Sequence, residues 1–313
     1  MNISNTANTW LSQFKVEITS SANMVFGNGR QQLEATVIVA PRNHGTITDK
    51  QLASIALVTL DDDGVYRELT GGLKASLNRD PLYQYFADTG SAPSNLEIRG
   101  PVRRKRFYIS SSRTGGSLDR VYARISKDES TYHVTDGGAF NSSIIIESIT
   151  PRRYDENDFE LSAVNELSTD RVDMDLYYLK FKNPQYQIVK STPYTEYYSE
   201  PYDSFYNDDW YYRYCYETRS DAGQNVIASW YTHYAFEVGP KRAFTAGTNS
   251  ITLNRRAGQM NLVRATTHEV SYNRPQNESE RSVWGVIDQY GNERKIEFIQ
   301  TDEGNRIGFK RFD

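Results

Sequence analysis

Phe14-Lys15-Val16-Glu17-Ile18 places apolar side chains at alternate positions against charged ones, the period-two pattern of a half-buried strand. Leu33, Ala35, Val37 and Val39 repeat the pattern after the turn-prone Gly27-Asn28-Gly29. A third apolar run over residues 55–60 ends at Asp61-Asp62-Asp63-Gly64, which reads as a hairpin turn into Val65-Tyr66. Strand-length runs punctuated by turn residues predict an all-β chain of sandwich type rather than a parallel α/β sheet. Only residues 82–86 read as briefly helical.

The same rhythm continues outward from this opening. Phe107 and Ile109, Val121 to Ile125, Tyr132 and Val134, Ile144 and Ile146, then Phe159 and Leu161 predict successive strands. Turns at Gly115-Gly116, Lys127-Asp128 and Asp136-Gly137-Gly138 separate the earlier ones. Residues 172–181 alternate again, with Asp173 and Asp175 opposed to Met174 and Leu176, and residues 186–189 supply a following strand. Residues 194–216 break the rhythm with nine tyrosines, Phe205 and Trp210 interleaved with carboxylates. Short strands resume at 230–238, 251–253, 262–264, 270–272, 283–287, 296–299 and 307–309, with Tyr290-Gly291-Asn292 as a hairpin turn. These breaks suggest three units: residues 1–93, 94–190 and a Tyr-rich β domain, 191–313.

Composition bounds the function classes. The chain has 313 residues with a formal charge of −4, and its pI is near 5.7 with a mean hydropathy of −0.68. That balance gives no general attraction to nucleic acid or anionic membranes. The 23 Tyr, 13 Phe and 4 Trp supply large faces for burial, so the polar average does not imply disorder. One Cys excludes an intrachain disulfide, and four scattered His carry no metal-ligand spacing, so neither a metal site nor a cofactor is expected. No apolar run reaches the roughly 18–20 residues of a membrane span. The first residues, MNISNTANTWL, lack the basic start and apolar core of a secretory leader. The expectation is cytoplasmic synthesis without such a leader, with release or assembly into a particle as later fates.

The stretch FGNGRQQLEATVIVAPRNHGTITDKQLASIALVTLDDDG, ending at Gly64, resembles the opening strands of bacterial immunoglobulin-like modules of the invasin and intimin type. The matching positions are Gly27 to Gly29, Leu33 to Val39, Ile55 to Leu60 and Asp61 to Gly64. The resemblance covers about the first 90 residues and, more loosely, residues 100–190. It implies tandem immunoglobulin-like β-sandwiches over the first two units, with a scaffold role, and transfers no functional residue. The chain is expected to depart from such exported repeats in lacking an export leader and anchor, since neither is read in its sequence.

Tyr197, Tyr198, Tyr202, Tyr206, Trp210 and Tyr212 are the candidate binding residues. Tyr and Trp offer flat apolar faces with polar tips, and nearby carboxylates accept hydrogen bonds from sugar hydroxyls. The same composition serves a protein interface, or an arm that packs its rings across neighbouring sheets. No catalytic residue is assigned. Cys215 lies between two tyrosines with His233 eighteen positions later, and no nucleophile elbow or phosphate loop is present. Acid pairs such as Asp203 with Asp208 or Asp173 with Asp175 keep glycoside hydrolysis open as an enzyme class. Asp61 to Gly64 reads as a turn rather than a calcium loop. The run Arg103-Arg104-Lys105-Arg106 reads as solvated charge at a strand edge or an interdomain seam, not as a nucleic-acid site.

These features favour a non-enzymatic binding or structural protein, bacterial or phage-associated, whose partner is another protein or a second copy of itself. A lectin-like or glycan-hydrolysing protein is the alternative, and a host-directed toxin or effector is a third.

Overall fold

The computed structural model describes residues 2–3, 7–86, 101–170, 172–194, 215–222, 225–246, 248–269, 282–302 and 305–312. The chain forms two compact units, Met1–Pro151 with Tyr290–Asn292, and Arg152–Gln289 with Glu293–Asp313. Both are built mainly of antiparallel sheet, with two short parallel pairings in unit 1.

Unit 1 contains, in chain order, β1 (Asn2–Ile3), α1 (Ala7–Trp10), β2 (Leu11–Ile18), β3 (Met24–Phe26), β4 (Gln32–Pro41), α2 (Asp49–Ala53), β5 (Ala56–Leu60), β6 (Tyr66–Glu68), β7 (Leu73–Ser76), β8 (Arg103–Ser111), β9 (Leu118–Ser126), β10 (Thr131–Val134) and β11 (Ile144–Ile149). One sheet runs β2-β4-β8-β7. The other runs β1-β10-β9-β11-β3, with β5 paired to β9 and β6 to β5. The alternating apolar residues of both sheets converge on one core: Phe14, Leu33, Val37, Phe107 and Ile109 from the first meet Val25, Leu57, Val121, Ala123 and Ile146 from the second. Each of these side chains larger than alanine contributes about 1.5–3 kcal/mol when withdrawn from water.

Unit 2 contains β12 (Phe159–Ser168), β13 (Val172–Phe181), β14 (Ile188–Pro193), β15 (Cys215–Ala222), β16 (Asn225–Ala235), β17 (Arg242–Ala246), β18 (Asn249–Leu253), β19 (Met260–Glu269), β20 (Ser282–Asp288), β21 (Glu293–Thr301) and β22 (Arg306–Arg311). A five-stranded sheet, β12-β13-β19-β16-β15, faces a four-stranded one, β14-β20-β21-β22. Tyr177, Leu179, Met260 and Leu262 fill the space between them with Trp284, Val286, Ile296 and Phe298. The opposite face of the larger sheet is covered by the β17–β18 hairpin, where Phe244, Ile251 and Leu253 pack on Met174, Leu176, Tyr178 and Val263. Strand β13 is therefore apolar on both faces through most of its length, while Asp173 and Asp175 stay half-buried.

Sheet pairing runs across both positions where the sequence suggests a boundary. Before and after residue 93, β4 pairs with β8 from Gln32↔Ser110 to Val39↔Arg103. Before and after 190, β13 pairs with β19. Local turn signals mark chain reversals, but they carry no information about which distant strand completes a sheet. Residues 82–86 form turns rather than a helix, with Tyr83 and Tyr85 buried. The longer helix is α2, whose N-terminus is closed by a capping box: Thr48 Oγ1 accepts from Gln51 N at 3.2 Å, and Gln51 Oε1 accepts from Thr48 N at 3.0 Å. The strand expected over residues 262–264 extends to β19, and residues 270–272 lie outside the described residues.

Candidate functional site

Tyr197, Tyr198, Tyr202, Tyr206, Trp210 and Tyr212 lie outside the described residues, as do Asp203 and Asp208. Cys215 opens β15, where its backbone is in register with Thr232. His133 and His233 sit in strands β10 and β16, both buried.

A different aromatic group emerges in unit 1. Strands β5, β9 and β10 send successive side chains to opposite sides of their sheet. Leu57, Val121, Ala123 and Ile125 enter the core, whereas Val58, Tyr122 and Val134 project from the other face and gather Tyr66 and Tyr132 beside them. The Tyr66 and Tyr122 rings meet edge to face at 5.8 Å. Arg124 places its guanidinium 5.8 Å from the Tyr132 ring centre and pairs with Glu68 at 2.9 Å. Tyr66 donates its hydroxyl to Asp136. Burial, reinforced by that carboxylate, pushes the Tyr66 phenol well above its ordinary value, so it remains a donor. Leu60 and Val65, each 46% exposed, flank the hairpin tip beside this cluster. The sequence carries a signal for it: residues 55–58 are apolar at both parities, which a strand covered on one face does not require.

The tip itself is the predicted hairpin turn. Asp61 Oδ1 accepts the backbone N–H groups of Asp63 at 3.1 Å and Val65 at 2.7 Å, and Gly64 takes φ +73°. Arg67 returns from β6 to bind the other carboxylate oxygen. That hydrogen bond, followed by the Val65 N–H, holds the Asp61 carboxyl below its ordinary value. The acidic run thus fastens a turn. Among the described residues, no group of three or more His, Cys, Asp and Glu side chains is arranged to hold a metal ion.

Asp173 and Asp175 do come together, around a cation. Arg264 on β19 is in register with Asp175 and pairs with Asp173 at 2.7 Å, with Asp175 through Nε at 3.1 Å and Nη2, and with Thr266. Its side chain is 7% exposed. Burial alone would lower the proton affinity of this guanidinium; the hydrogen bond and charge of Asp175, then Asp173, outweigh it and keep Arg264 charged. Two carboxylates sharing one buried cation form a closed charge set. A glycosidase instead directs its two acids across a gap that admits the sugar.

Two members of the basic run bind within unit 1, a correction to the reading of the run as solvated edge or seam charge, while Arg106 stays exposed. Lys105 donates to the carbonyls of Ala53 at 2.7 Å and Ile55 at 2.8 Å, just past α2, and burial lowers its ammonium below the usual range. Arg103 binds the Ile47 carbonyl at 3.2 Å and Asp49 at 2.7 Å. A shallow groove beside α2, lined by Thr48, Lys50, Gln51, Lys127 and Asp128, is likewise crossed by its own bonds, such as Gln51 Nε2 to the Lys127 carbonyl at 2.9 Å. No helix among the described residues is long and apolar enough to cross a membrane.

In comparison with known proteins, the sequence matches no protein-family model and no curated protein.

Proposed function

We propose that the chain is a non-enzymatic binding or assembly protein whose sandwich units are of immunoglobulin-like type, in a bacterial or phage setting. The observation that carries this reading is the cluster of Tyr66, Tyr122 and Tyr132 on the sheet face opposite the unit 1 core, edged by Arg124, Glu68 and Asp136. Tyr and Arg are the side chains that dominate binding hot spots, because each combines a large apolar area with a polar end. The immunoglobulin-like assignment is supported by two mainly antiparallel sheets sharing one core, and by strands over the segments whose cadence resembles those modules.

The test is to replace Tyr66 and Tyr132 by Ala and compare native co-purification with that of the parent chain, while following thermal unfolding. Loss of a co-purifying partner with a retained fold supports the reading. An unchanged partner set with a lowered melting temperature assigns the rings to packing. The same rings beside Glu68 and Asp136 also suit a saccharide, so a glycan array with a reducing-sugar assay belongs to the same experiment. Glycan binding without turnover identifies the ligand class, and sugar release overturns the non-enzymatic reading.

A further inference from the structure

We propose that Asp136 converts spontaneously to isoaspartate, and that this conversion unfastens Tyr66 from the exposed tyrosine cluster of unit 1. The reaction needs an Asp or Asn side chain followed by an accessible backbone N–H. Glycine suits the second position because no side chain obstructs the approach. The sequence holds three such pairs: Asn28-Gly29, Asp63-Gly64 and Asp136-Gly137. Hydrogen bonding separates them. Gly29 N donates to the Ser111 carbonyl at 2.7 Å, while Asn28 Oδ1 is held by Arg30 N at 2.9 Å and Gln31 N at 3.0 Å. Gly64 N donates to the Asp61 carbonyl at 3.0 Å, inside the hairpin turn. Among the described residues, none accepts a hydrogen bond from Gly137 N.

The surroundings of Asp136 leave the reaction room. Asp136, Gly137, Gly138 and Ala139 are all exposed, and the two glycines take left-handed φ values of +72° and +61°. A Cβ added to either glycine would meet nothing within 4 Å, so a change of loop shape encounters no neighbour. The base of the loop is clamped by Thr135 N on the Ala123 carbonyl at 2.9 Å and Ser142 N on the Thr135 carbonyl at 2.8 Å. Those bonds confine the change to the tip.

In the first step, Gly137 N bonds to Asp136 Cγ while the Cγ–OH bond breaks. The amide proton leaves with that hydroxyl as water, and a five-membered succinimide remains. Water then attacks the former main-chain carbonyl of Asp136, its bond to Gly137 N breaks, and the nitrogen regains a proton. The chain now runs through Cγ, its mass unchanged, with a new carboxylate on Cα. Tyr66 donates its hydroxyl to the Asp136 side-chain carboxylate. Conversion turns that acceptor into a peptide bond and lengthens the backbone by one carbon. Tyr66, which meets Tyr122 edge to face at 5.8 Å, thereby loses its tether to the loop between β10 and β11. The effect on binding rests on the tyrosine cluster being the docking face, whereas the chemistry does not.

The experiment ages the full chain at neutral pH and body temperature and locates isoaspartate by peptide mapping with electron-transfer fragmentation. Short synthetic peptides spanning each pair serve as the unfolded reference, in which the Asn-Gly peptide reacts fastest and the two Asp-Gly peptides react alike. In the folded chain, Asp136 is expected to isomerise roughly two- to tenfold faster than Asp63, the factor set by one backbone hydrogen bond. Asn28 should convert last, which reverses its rank among the peptides. The isoaspartyl form, separated by chromatography, should show shifted Tyr66 ring signals by NMR and faster amide exchange in β6. Asp136→Glu keeps a carboxylate near Tyr66 but closes only a six-membered imide, so ageing should leave its Tyr66 signals unchanged. Equal rates at Asp136 and Asp63, conversion of Asn28 ahead of Asp136, or Tyr66 signals that ignore the conversion overturn the proposal. So do Tyr66 changes on ageing that persist in Asp136→Glu. The comparison of rates within the parent chain decides the matter if that variant fails to fold. All these signals are read without a partner, so their failure leaves the binding function standing and the Tyr66 and Tyr132 replacements still test it.

Discussion

Asp61 shows how a single carboxylate fixes a turn and ties it to pH. Its oxygens accept from Arg67, Val65 and Asp63 most strongly when ionised, and its carboxyl lies below the ordinary value of 3.8, chiefly through the Arg67 hydrogen bond. A carboxylate depressed in the folded state stabilises the hairpin above the unfolded value, and that contribution is lost as pH falls through the lower folded value. Titration of the Asp61 side chain by NMR should give a midpoint below 3.8, and Arg67→Ala should move it upward. Arg264 is the contrasting case, since its charge is buried and answered by two acids. Arg264→Met leaves Asp173 and Asp175 close together without their cation, and urea unfolding should show a loss of roughly 3–5 kcal/mol. Adding Asp173→Asn and Asp175→Asn to the same chain should recover part of that loss, because the uncompensated charge is then removed.

At the level of elements, Thr48 is the clearest local determinant. Its hydroxyl and the Gln51 side chain close the first turn of α2 reciprocally, and Lys105 and Arg103 hold the segment on either side of that helix. Thr48→Ala should cost about 0.5–2 kcal/mol in chemical denaturation, while Thr48→Ser, which keeps the acceptor, should cost much less. The Thr48-x-x-Gln51 spacing is a readable N-terminal signature, yet five helical residues are too few to impose a 3.6-residue period on an otherwise alternating sequence. Strands β2, β9, β11 and β21 were legible because one face of each is apolar. The period weakens at β4, where Leu33 through Pro41 are all buried, and at β13, which serves two cores. Residues 82–86 suggested a helix because Leu82 and Phe86 are spaced four apart, but the intervening Tyr83 and Tyr85 are the ones that turn inward, Tyr85 donating to Glu34 at 3.2 Å.

Across the whole molecule, what local sequence conceals is partner choice. Val121, Ala123 and Ile125 announce a strand, but nothing near them specifies that β9 will pair with β5, β10 and β11. Nor does any nearby residue indicate that Tyr122 and Tyr132 will share a face with Tyr66, or that Arg264 will lie between Asp173 and Asp175. These juxtapositions arise from contacts distant in sequence, and sheet register sets them all at once. The result is a unit 1 core drawn entirely from residues 11–146 and unit 2 cores drawn entirely from residues 154–307. Separate cores make a cooperative prediction. Leu33 is 1% exposed at the centre of unit 1, so Leu33→Ala should destabilise that unit by about 2–5 kcal/mol through lost burial and the cavity left behind. Amide exchange should accelerate in β4, β8 and β9, because they share the damaged core. Protection in β13, β19 and β20 should stay at the parent level. Equal acceleration in both groups of strands would show instead that the chain unfolds as one cooperative body.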